Sequence, residues 1–408
     1  MPNAAAAPSS VLKSLAVWGP GLLVMLADSD AGNVVAAAQA GAQWGYCLLP
    51  LLLLLIPVLH MVQELTVRLG IFTQRGYGAL VRLHLGPVWA WVSLASLAVA
   101  VAGTLVTEFS AVAGIGGMFG LPKALSLTLA VILLLAVAAS GSYRRIERIA
   151  LAIGLFELAF LLVAWQARPD PLAAVADLAS IPLKNKDFLY LVAALVGAVF
   201  NPWMVFYQQA AVAEKRLRPA DYRAERWDTA IGAVLTQVLT AAVLVAAAAS
   251  LRGSQFNDIG EIGEALTPLL GLSLARPVFA AGVLGASMVA AIIASLSLVW
   301  GVRDVTDGKM DQSRKGFFVF YAGCVTGAAL LVGCTDALVP LVIGAQVLNA
   351  LLLPLVLGCL LVLARKALPP RLRLSGWQWP LSLGTAGAIT ATGLIGALAG
   401  LLTALPAS

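Results

Sequence analysis

The chain has 408 residues, of which 61% are hydrophobic and only 11% are charged. Soluble proteins carry about 25% charged residues, so this composition excludes a soluble domain and indicates a polytopic membrane protein. The net charge of +6 does not indicate a nucleic-acid partner, because Lys and Arg are confined to short segments between apolar runs.

Apolar runs long enough to cross a bilayer recur along the chain. They predict an all-α membrane protein with eleven transmembrane helices, here called spans one to eleven. The predicted spans lie near residues 14–42, 46–67, 87–118, 123–140, 146–167, 187–213, 229–250, 275–302, 316–334, 338–364 and 378–404. The N-terminal residues lack the basic start of a signal peptide, so we expect span one to be retained.

The distribution of basic residues predicts the orientation. With the N-terminus in the cytoplasm, 20 of the 26 Lys and Arg residues lie in cytoplasmic segments and six lie outside. This bias follows the positive-inside rule. We therefore predict an integral inner (plasma) membrane protein with its N-terminus cytoplasmic and its C-terminus extracellular or periplasmic. A short surface helix is expected at 261–271, in the second of the two longer outside loops.

Polar residues interrupt span one at mid-membrane: Asp28, Ser29, Asp30, Gly32 and Asn33. A carboxylate at the centre of a transmembrane helix costs about 2.5–3.5 kcal/mol on insertion scales, so it needs a partner, a proton, a cation or water. Gly is a weak helix former, and Asp and Asn side chains compete for backbone hydrogen bonds. Gly32 is therefore predicted to break the helix. Broken helices with oxygen ligands are typical of ion sites in transporters.

Span six carries a second interruption, at Asn201-Pro202. Pro disfavours helix at the preceding residue and removes a backbone hydrogen bond. Paired interrupted spans indicate an inverted repeat with a site between its halves. We predict one membrane domain with a five-plus-five repeat, like the LeuT-type amino-acid transporters. Repeat one covers about 14–167, repeat two about 187–364, and an extra helix about 378–404.

At these motifs the chain resembles the natural resistance-associated macrophage protein (NRAMP) metal transporters. The run Asp30-Ala31-Gly32-Asn33, preceded by Gly-Pro-Gly and followed by Gln-Ala-Gly-Ala-Gln-Trp-Gly-Tyr, is similar to their first span. Further likenesses are Gln63-Glu64-Leu65 in span two, Glu264-Ala265 before span eight and Gln346-Val347 in span ten. The resemblance covers essentially the whole chain and implies a transporter, not an enzyme.

Two departures from that family pattern bear on the substrate. The transition-metal carriers have Met-Pro-His in span six, where this chain has Asn201-Pro202-Trp203, and their span-one Pro is replaced by Ala31. This pattern resembles the NRAMP-related magnesium transporter branch. Asp30, Asn33 and Asn201 offer only oxygen, which suits a hard ion such as Mg²⁺. By resemblance, the Ala198 backbone carbonyl is a further ligand.

Each predicted ligand has a structural alternative. Asp30 can cap the unwound turn, Asn33 can bond freed backbone groups, and Asn201 can satisfy carbonyls released by Pro202. Three other polar residues are weaker candidates for contacting the ion or its waters: Asp28, Gln346 and Asn349. Glu64 is expected to pair with Arg68 one turn later.

Proton coupling needs titratable groups in series. The two span-six histidine positions of proton-coupled relatives are occupied here by Trp203 and Gln208, and of the span-three acids only Glu108 remains. We therefore expect Mg²⁺ uptake by alternating access, with Mn²⁺ tolerated, driven by the membrane potential without protons.

The nearest alternative is a proton-coupled Mn²⁺ or Fe²⁺ carrier. A sodium-coupled amino-acid transporter on the same fold is disfavoured, because Asp30 would repel a substrate carboxylate. A channel and an intramembrane hydrolase built on Ser29 are weaker readings. Expected partners are the divalent ion as transported substrate and the lipid bilayer, with no cofactor, nucleic acid or obligate protein partner.

Overall fold

The computed structural model describes residues 19–139, 143–254, 256, 258–263, 275–308 and 314–404, and all regular secondary structure within them is helical. The helices named below are α1 (Pro20–Asp28), α2 (Ala31–Trp44), α3 (Leu49–Thr73), α4 (Tyr77–Leu85), α5 (Pro87–Met118), α6 (Lys123–Ala139), α7 (Tyr143–Gly154), α8 (Ala159–Gln166), α9 (Pro171–Leu178), α10 (Lys186–Val199), α11 (Pro202–Glu214), α12 (Tyr222–Ser250), α13 (Ala275–Val305), α14 (Arg314–Gly333), α15 (Leu338–Lys366) and α16 (Gln378–Ala404).

The predicted all-α fold is confirmed, and its apolar segments correspond to the predicted spans. In the described ranges, eight helices are long and apolar enough to cross a membrane, and α1 with α2 forms a further span bent by 47°. Two shorter apolar helices, Lys123–Ala139 and Phe318–Gly333, lie where spans four and nine are predicted. The start of predicted span one at 14–18 and most of the expected surface helix at 261–271 lie outside the described residues.

Several short elements were not predicted from the sequence. Helix α4 lies in a segment read as a cytoplasmic loop, and it buries Tyr77, whose hydroxyl donates to the Val356 carbonyl at 3.0 Å. Helix α9 lies in the segment between predicted spans five and six. Span five is interrupted by a 3₁₀ turn at Leu155–Leu158. Such short elements have too few turns for a clear hydrophobic period, so packing decides them.

Helices α10, α11 and α13 form the centre of the bundle. In the most apolar stretches of Lys186–Glu214 and Arg276–Val305, 83% of residues are buried, against 28% in Arg148–Gln166 and Gln378–Gly400. Around this centre, α12 packs on α1, α2 and α3, while α15 packs on α10 and α5. The two interrupted spans therefore lie inside protein, where a broken backbone can be satisfied.

The N-terminus of α1 is held by a carboxylate from another helix. Asp228 of α12 accepts, through Oδ2, the backbone N–H groups of Gly19 at 3.1 Å, Gly21 at 2.8 Å and Leu22 at 3.1 Å. Gly21 permits this approach, because a Cβ there would lie 2.7 Å from the Thr229 backbone nitrogen. One buried acid thus satisfies the orphan donors of α1 and complements its dipole.

We expect Asp228→Ala to loosen α1 and to lower the free energy of unfolding by about 1–2 kcal/mol, the usual loss for a helix cap. Hydrogen exchange over residues 19–28 and the thermal midpoint in detergent measure this. The control is Asp170→Ala, which removes the exposed cap of α9, where Asp170 accepts from Leu172 N at 2.9 Å. Equal exchange over 19–28 in both variants would contradict the anchoring role.

Candidate metal site

The break in span one is short. Helix α1 ends at Asp28 and α2 begins at Ala31, so only Ser29 and Asp30 separate them. Asp30 is the N-cap of α2, and its Oδ1 accepts the Asn33 backbone N–H at 2.8 Å. This cap restarts the helix at once. Gly32 consequently lies in the first turn of α2 and not at the break.

The break in span six has the same length. Helix α10 ends at Val199 and α11 begins at Pro202, with Phe200 and Asn201 between them. Pro202 occupies the first turn of α11, where its missing N–H leaves no helix hydrogen bond unmade. Asn201 is the N-cap residue, but its side chain makes no capping hydrogen bond. Its amide is therefore free for contacts outside α11.

The two breaks face each other through side-chain amides. The Asn33 side-chain nitrogen donates to the carbonyl oxygens of Asp28 and, at 3.1 Å, of Ala198. The Asn201 side-chain nitrogen donates to the Ala198 carbonyl at 3.0 Å and lies 3.5 Å from Asp30 Oδ2. All five residues are at most 1% exposed. The structure thus brings the four predicted ligands, Asp30, Asn33, Asn201 and the Ala198 carbonyl, into one buried cluster.

Helix α15 closes this cluster from a third side. Asn349 Nδ2 donates to Asn201 Oδ1 at 2.5 Å and to Gln346 Oε1 at 3.0 Å. Two glycines permit the close approach of α15. A Cβ on Gly32 would overlap the Gln346 side-chain amide, and one on Gly197 would overlap the Gln346 backbone carbonyl. Gln346 and Asn349 therefore belong to the same cluster as the predicted ligands.

Several oxygen atoms in the cluster have no hydrogen-bond donor. Asn33 Oδ1, Asn349 Oδ1 and both carboxylate oxygens of Asp28 are buried without a partner. Buried polar atoms are normally satisfied, so a group of orphaned acceptors is the environment that a cation would complete. In the described part of the chain no three His, Cys, Asp or Glu side chains are placed to hold a metal. A metal here would therefore need amide and backbone oxygens in addition to carboxylate.

Two further carboxyl groups lie beside the break. Glu108 of α5 accepts the Ala31 N–H through Oε2 at 3.4 Å, and its Oε1 has no partner. Glu157, in the 3₁₀ turn of span five, is 0% exposed, and neither of its oxygens has a hydrogen-bond partner. It faces Ser29, whose hydroxyl lies 2.8 Å from Thr236 Oγ1. In the described ranges, none of the four carboxyl groups near the break forms an ion pair. These are Asp28, Asp30, Glu108 and Glu157.

The sequence reasoning missed Glu157. The sequence did contain the signal for it, because a lone acidic residue in an apolar span is by itself a candidate functional residue. Asp28, a weaker candidate for contacting the ion or its waters, is fully buried.

Trp203 and Gln208, the two span-six positions considered above for proton coupling, are hydrogen-bonded. Trp203 Nε1 donates to Thr104 Oγ1 at 3.1 Å. Gln208 donates to Thr229 Oγ1 at 2.8 Å and accepts from Thr66 Oγ1 at 3.1 Å. His60 lines a separate cavity on the side of the bundle. The predicted Glu64–Arg68 ion pair is confirmed, with an N–O distance of 2.8 Å.

A cavity of about 620 Å³, here called the vestibule, lies on the predicted outer side. It is lined by the ends of α2, α10 and α15, including Gln39, Asp187 and Ile343. At 1.5 Å per residue, Gln39 lies about 9 Å along α2 from Asn33, and Ile343 lies about 4.5 Å along α15 from Gln346. The site is therefore one to two helical turns below an open vestibule.

The close contact between α15 and α10 allows a direct test of whether α15 shapes the metal site. Gly197→Ala places a methyl group against the Gln346 backbone carbonyl, so we expect α15 to move and the cluster to lose divalent-metal binding. The control is Gly358→Ala, which lies on α15 itself and has no atom within 4 Å of its added Cβ. Calorimetric titration of purified variants with Mn²⁺ and Mg²⁺ measures the effect. Unchanged binding in Gly197→Ala would show that α15 does not shape the site.

Comparison with known proteins agrees with this fold. A family model described as natural resistance-associated macrophage protein-like matches residues 21–399. The divalent metal cation transporter MntH of Bradyrhizobium diazoefficiens is 30% identical over 300 residues, 69% of this chain and 66% of that protein. MntH 1 of Pseudomonas aeruginosa is 32% identical over 304 residues, 69% of this chain and 67% of that protein. The chain thus spans about two thirds of the length of these relatives.

The solved structures give the same fold. A mutant of the manganese transporter of Eremococcus coleocola matches with a TM-score of 0.78 at 20% identity, covering 98% of this chain and 91% of that chain. The match confirms the predicted LeuT-like fold, and the family model excludes an enzyme as the reading of this chain. The chain belongs to the natural resistance-associated macrophage protein-like family of membrane transporters.

Proposed function

We propose that the chain transports divalent metal cations by alternating access, with Mg²⁺ as the preferred substrate and Mn²⁺ tolerated. One observation carries the proposal. The groups that meet at the two helix breaks, from Asp30, Asn33, Asn201 and Ala198, offer oxygen and no sulfur. We also propose the orientation given by the basic residues, with the N-terminus in the cytoplasm of an inner or plasma membrane.

The ligand chemistry supports a hard ion. A thioether favours transition metals, whereas carboxylate, amide oxygen, carbonyl and water suit Mg²⁺. Mg²⁺ usually keeps several waters and binds through one or two carboxylates. A site with Asp30 as its central carboxylate and amides around it matches this weak, reversible mode. Asn201 stands where the family's transition-metal carriers have the sulfur ligand, so it is the residue expected to set the preference.

The vestibule on one side of the cluster and the helix contacts on the other side support alternating access. The cluster is at most 1% exposed, with the large vestibule above it on the predicted outer side. On the opposite side, α1 is held to α12 by Asp228, and Arg303 pairs with Glu214 at the end of α11. Release to the cytoplasm would require these inner contacts to separate. The membrane potential supplies about 2.3 kcal/mol per charge per 100 mV, so about twice that for a dication.

One observation favours the alternative of a proton-coupled Mn²⁺ or Fe²⁺ carrier. Glu108 and Glu157 are buried beside the break without an ion-pair partner in the described residues, and such acids occur in proton relays. The histidine positions that would extend a relay hold Trp203 and Gln208. We therefore keep electrogenic, proton-independent uptake as the proposal and test the two mechanisms directly.

Selectivity is tested with Asp30→Ala and Asn201→Met in proteoliposomes. We expect Asp30→Ala to reduce Mg²⁺ and Mn²⁺ uptake to background, because the carboxylate is lost. We expect Asn201→Met to lower Mg²⁺ uptake at least tenfold relative to Mn²⁺, a change of about 1.4 kcal/mol. Asn185→Met, at the exposed start of α10, is the matched control. If Asn201→Met leaves the Mg²⁺-to-Mn²⁺ ratio unchanged, the selectivity argument is wrong.

Coupling is tested with a pH dye inside the same vesicles. We expect Mg²⁺ uptake driven by an inside-negative potential to proceed without internal acidification, and Glu157→Gln to retain uptake. Acidification that follows metal uptake and disappears in Glu157→Gln or Glu108→Gln would establish the proton-coupled alternative instead.

A further inference from the structure

A second cavity, of about 440 Å³, lies on the side of the bundle between α3, α12 and α16. It shares no residue with the metal-site cluster or the vestibule. The lining residues on which the argument depends are His60, Glu64, Arg68, Arg226, Trp377 and Leu381. Its volume falls in the range of about 300–1,000 Å³ that is usual for small-molecule sites.

The cavity is apolar at one end and charged at the other. Along α3 it extends from Leu54 and Pro57 to Arg68, which is about 21 Å at 1.5 Å per residue. Leu54 is 64% exposed and Trp377 is 72% exposed, so the cavity opens sideways on the surface of a membrane protein. An amphiphile with one charged end has this distribution of polarity.

The charged end carries a surplus positive charge. Glu64 is neutralised within the protein, because Arg68 forms a two-pronged ion pair with it and the Tyr222 hydroxyl donates to it. Arg226 lines the cavity near His60. In the described part of the chain it makes no hydrogen bond or ion pair, so its positive charge is not neutralised within the protein. His60 Nδ1 is buried and also lacks a partner. The cavity therefore presents one uncompensated guanidinium and one unsatisfied ring nitrogen.

We propose that this cavity binds an anionic membrane phospholipid, with its phosphate on Arg226 and an acyl chain along α3 past Pro57. Basic pockets between transmembrane helices on the cytoplasmic side are typical sites for anionic headgroups. The orientation predicted from the basic residues puts the Arg226 end in that leaflet. Trp377, at the start of α16, has the amphipathic ring that is enriched at membrane interfaces.

The bound lipid would contact both α12 and α16. It lies between α16, the additional peripheral helix, and α12, which carries Asp228 two residues after Arg226. Asp228 anchors the N-terminus of α1. Arg226 and the anchor of the first broken span thus lie on the same helix, and lipid binding at Arg226 does not depend on which metal is transported.

The test uses the full-length chain in detergent, with palmitoyl-oleoyl phosphatidylglycerol or the matching phosphatidylcholine added in mixed micelles. Native mass spectrometry then counts retained lipids. We expect retention of phosphatidylglycerol over phosphatidylcholine, and a loss of about fivefold in phosphatidylglycerol binding for Arg226→Gln, the value for one basic residue near a lipid surface. Arg223→Gln is the control, because it makes the same charge change on the same helix outside the cavity.

The apolar half is tested separately with Leu381→Trp, which narrows the cavity, against Leu383→Trp, on the same helix but outside it. We expect only Leu381→Trp to reduce phosphatidylglycerol retention, so the proposal is still tested if Arg226→Gln does not fold. Equal retention of the two lipids, or displacement of phosphatidylglycerol by inorganic phosphate alone, would overturn the lipid assignment. A dimer in the same spectra that retains no phosphatidylglycerol would also overturn the lipid assignment.

Discussion

The structure depends on the need to satisfy broken backbone inside a low-dielectric environment. Two helices end in the middle of the bundle, and their last carbonyl groups have no partner within the helix. The amide nitrogens of Asn33 and Asn201 meet this need by donating to the carbonyls of Asp28 and Ala198. The side-chain oxygen of Asn33 is left without a donor. One end of the amide therefore stabilises the break, and the other end remains an acceptor.

This division makes a structural role and the proposed ligand role compatible in the same residue. Asp30 uses Oδ1 to cap α2, which leaves Oδ2 directed toward Asn201. A carboxylate and an amide can thus hold the fold and still present oxygen to an ion, because each has two polar ends. Neither role excludes the other, and the same residues are expected to affect stability and binding together.

Close helix packing sets the size of the cluster. Without side chains at Gly32 and Gly197, α15 comes near enough for Asn349 to contact Asn201. Helix α12 supports the opposite side, where Thr236 contacts Ser29 and Asp228 holds the start of α1. Cores of this density do not deform continuously, so a change at either helix is transmitted to the break. The lateral cavity is lined by Arg226 of the same helix.

The sequence by itself determined the apolar spans, both interruptions and the Glu64–Arg68 pair, because each depends on residues within a few turns of one another. Bilayer thickness fixes the span length, and a polar or Pro residue in an apolar run is a local signal. Only the tertiary structure decided that Glu157 faces Ser29, that Gln346 meets Gly32, and that Asp228 caps a helix that begins more than 200 residues earlier. The tertiary structure also showed that Gly32 lies in the first turn of α2 and not, as the sequence had predicted, at the break. These contacts join residues far apart in the chain, and helix packing, which no local pattern encodes, selects them.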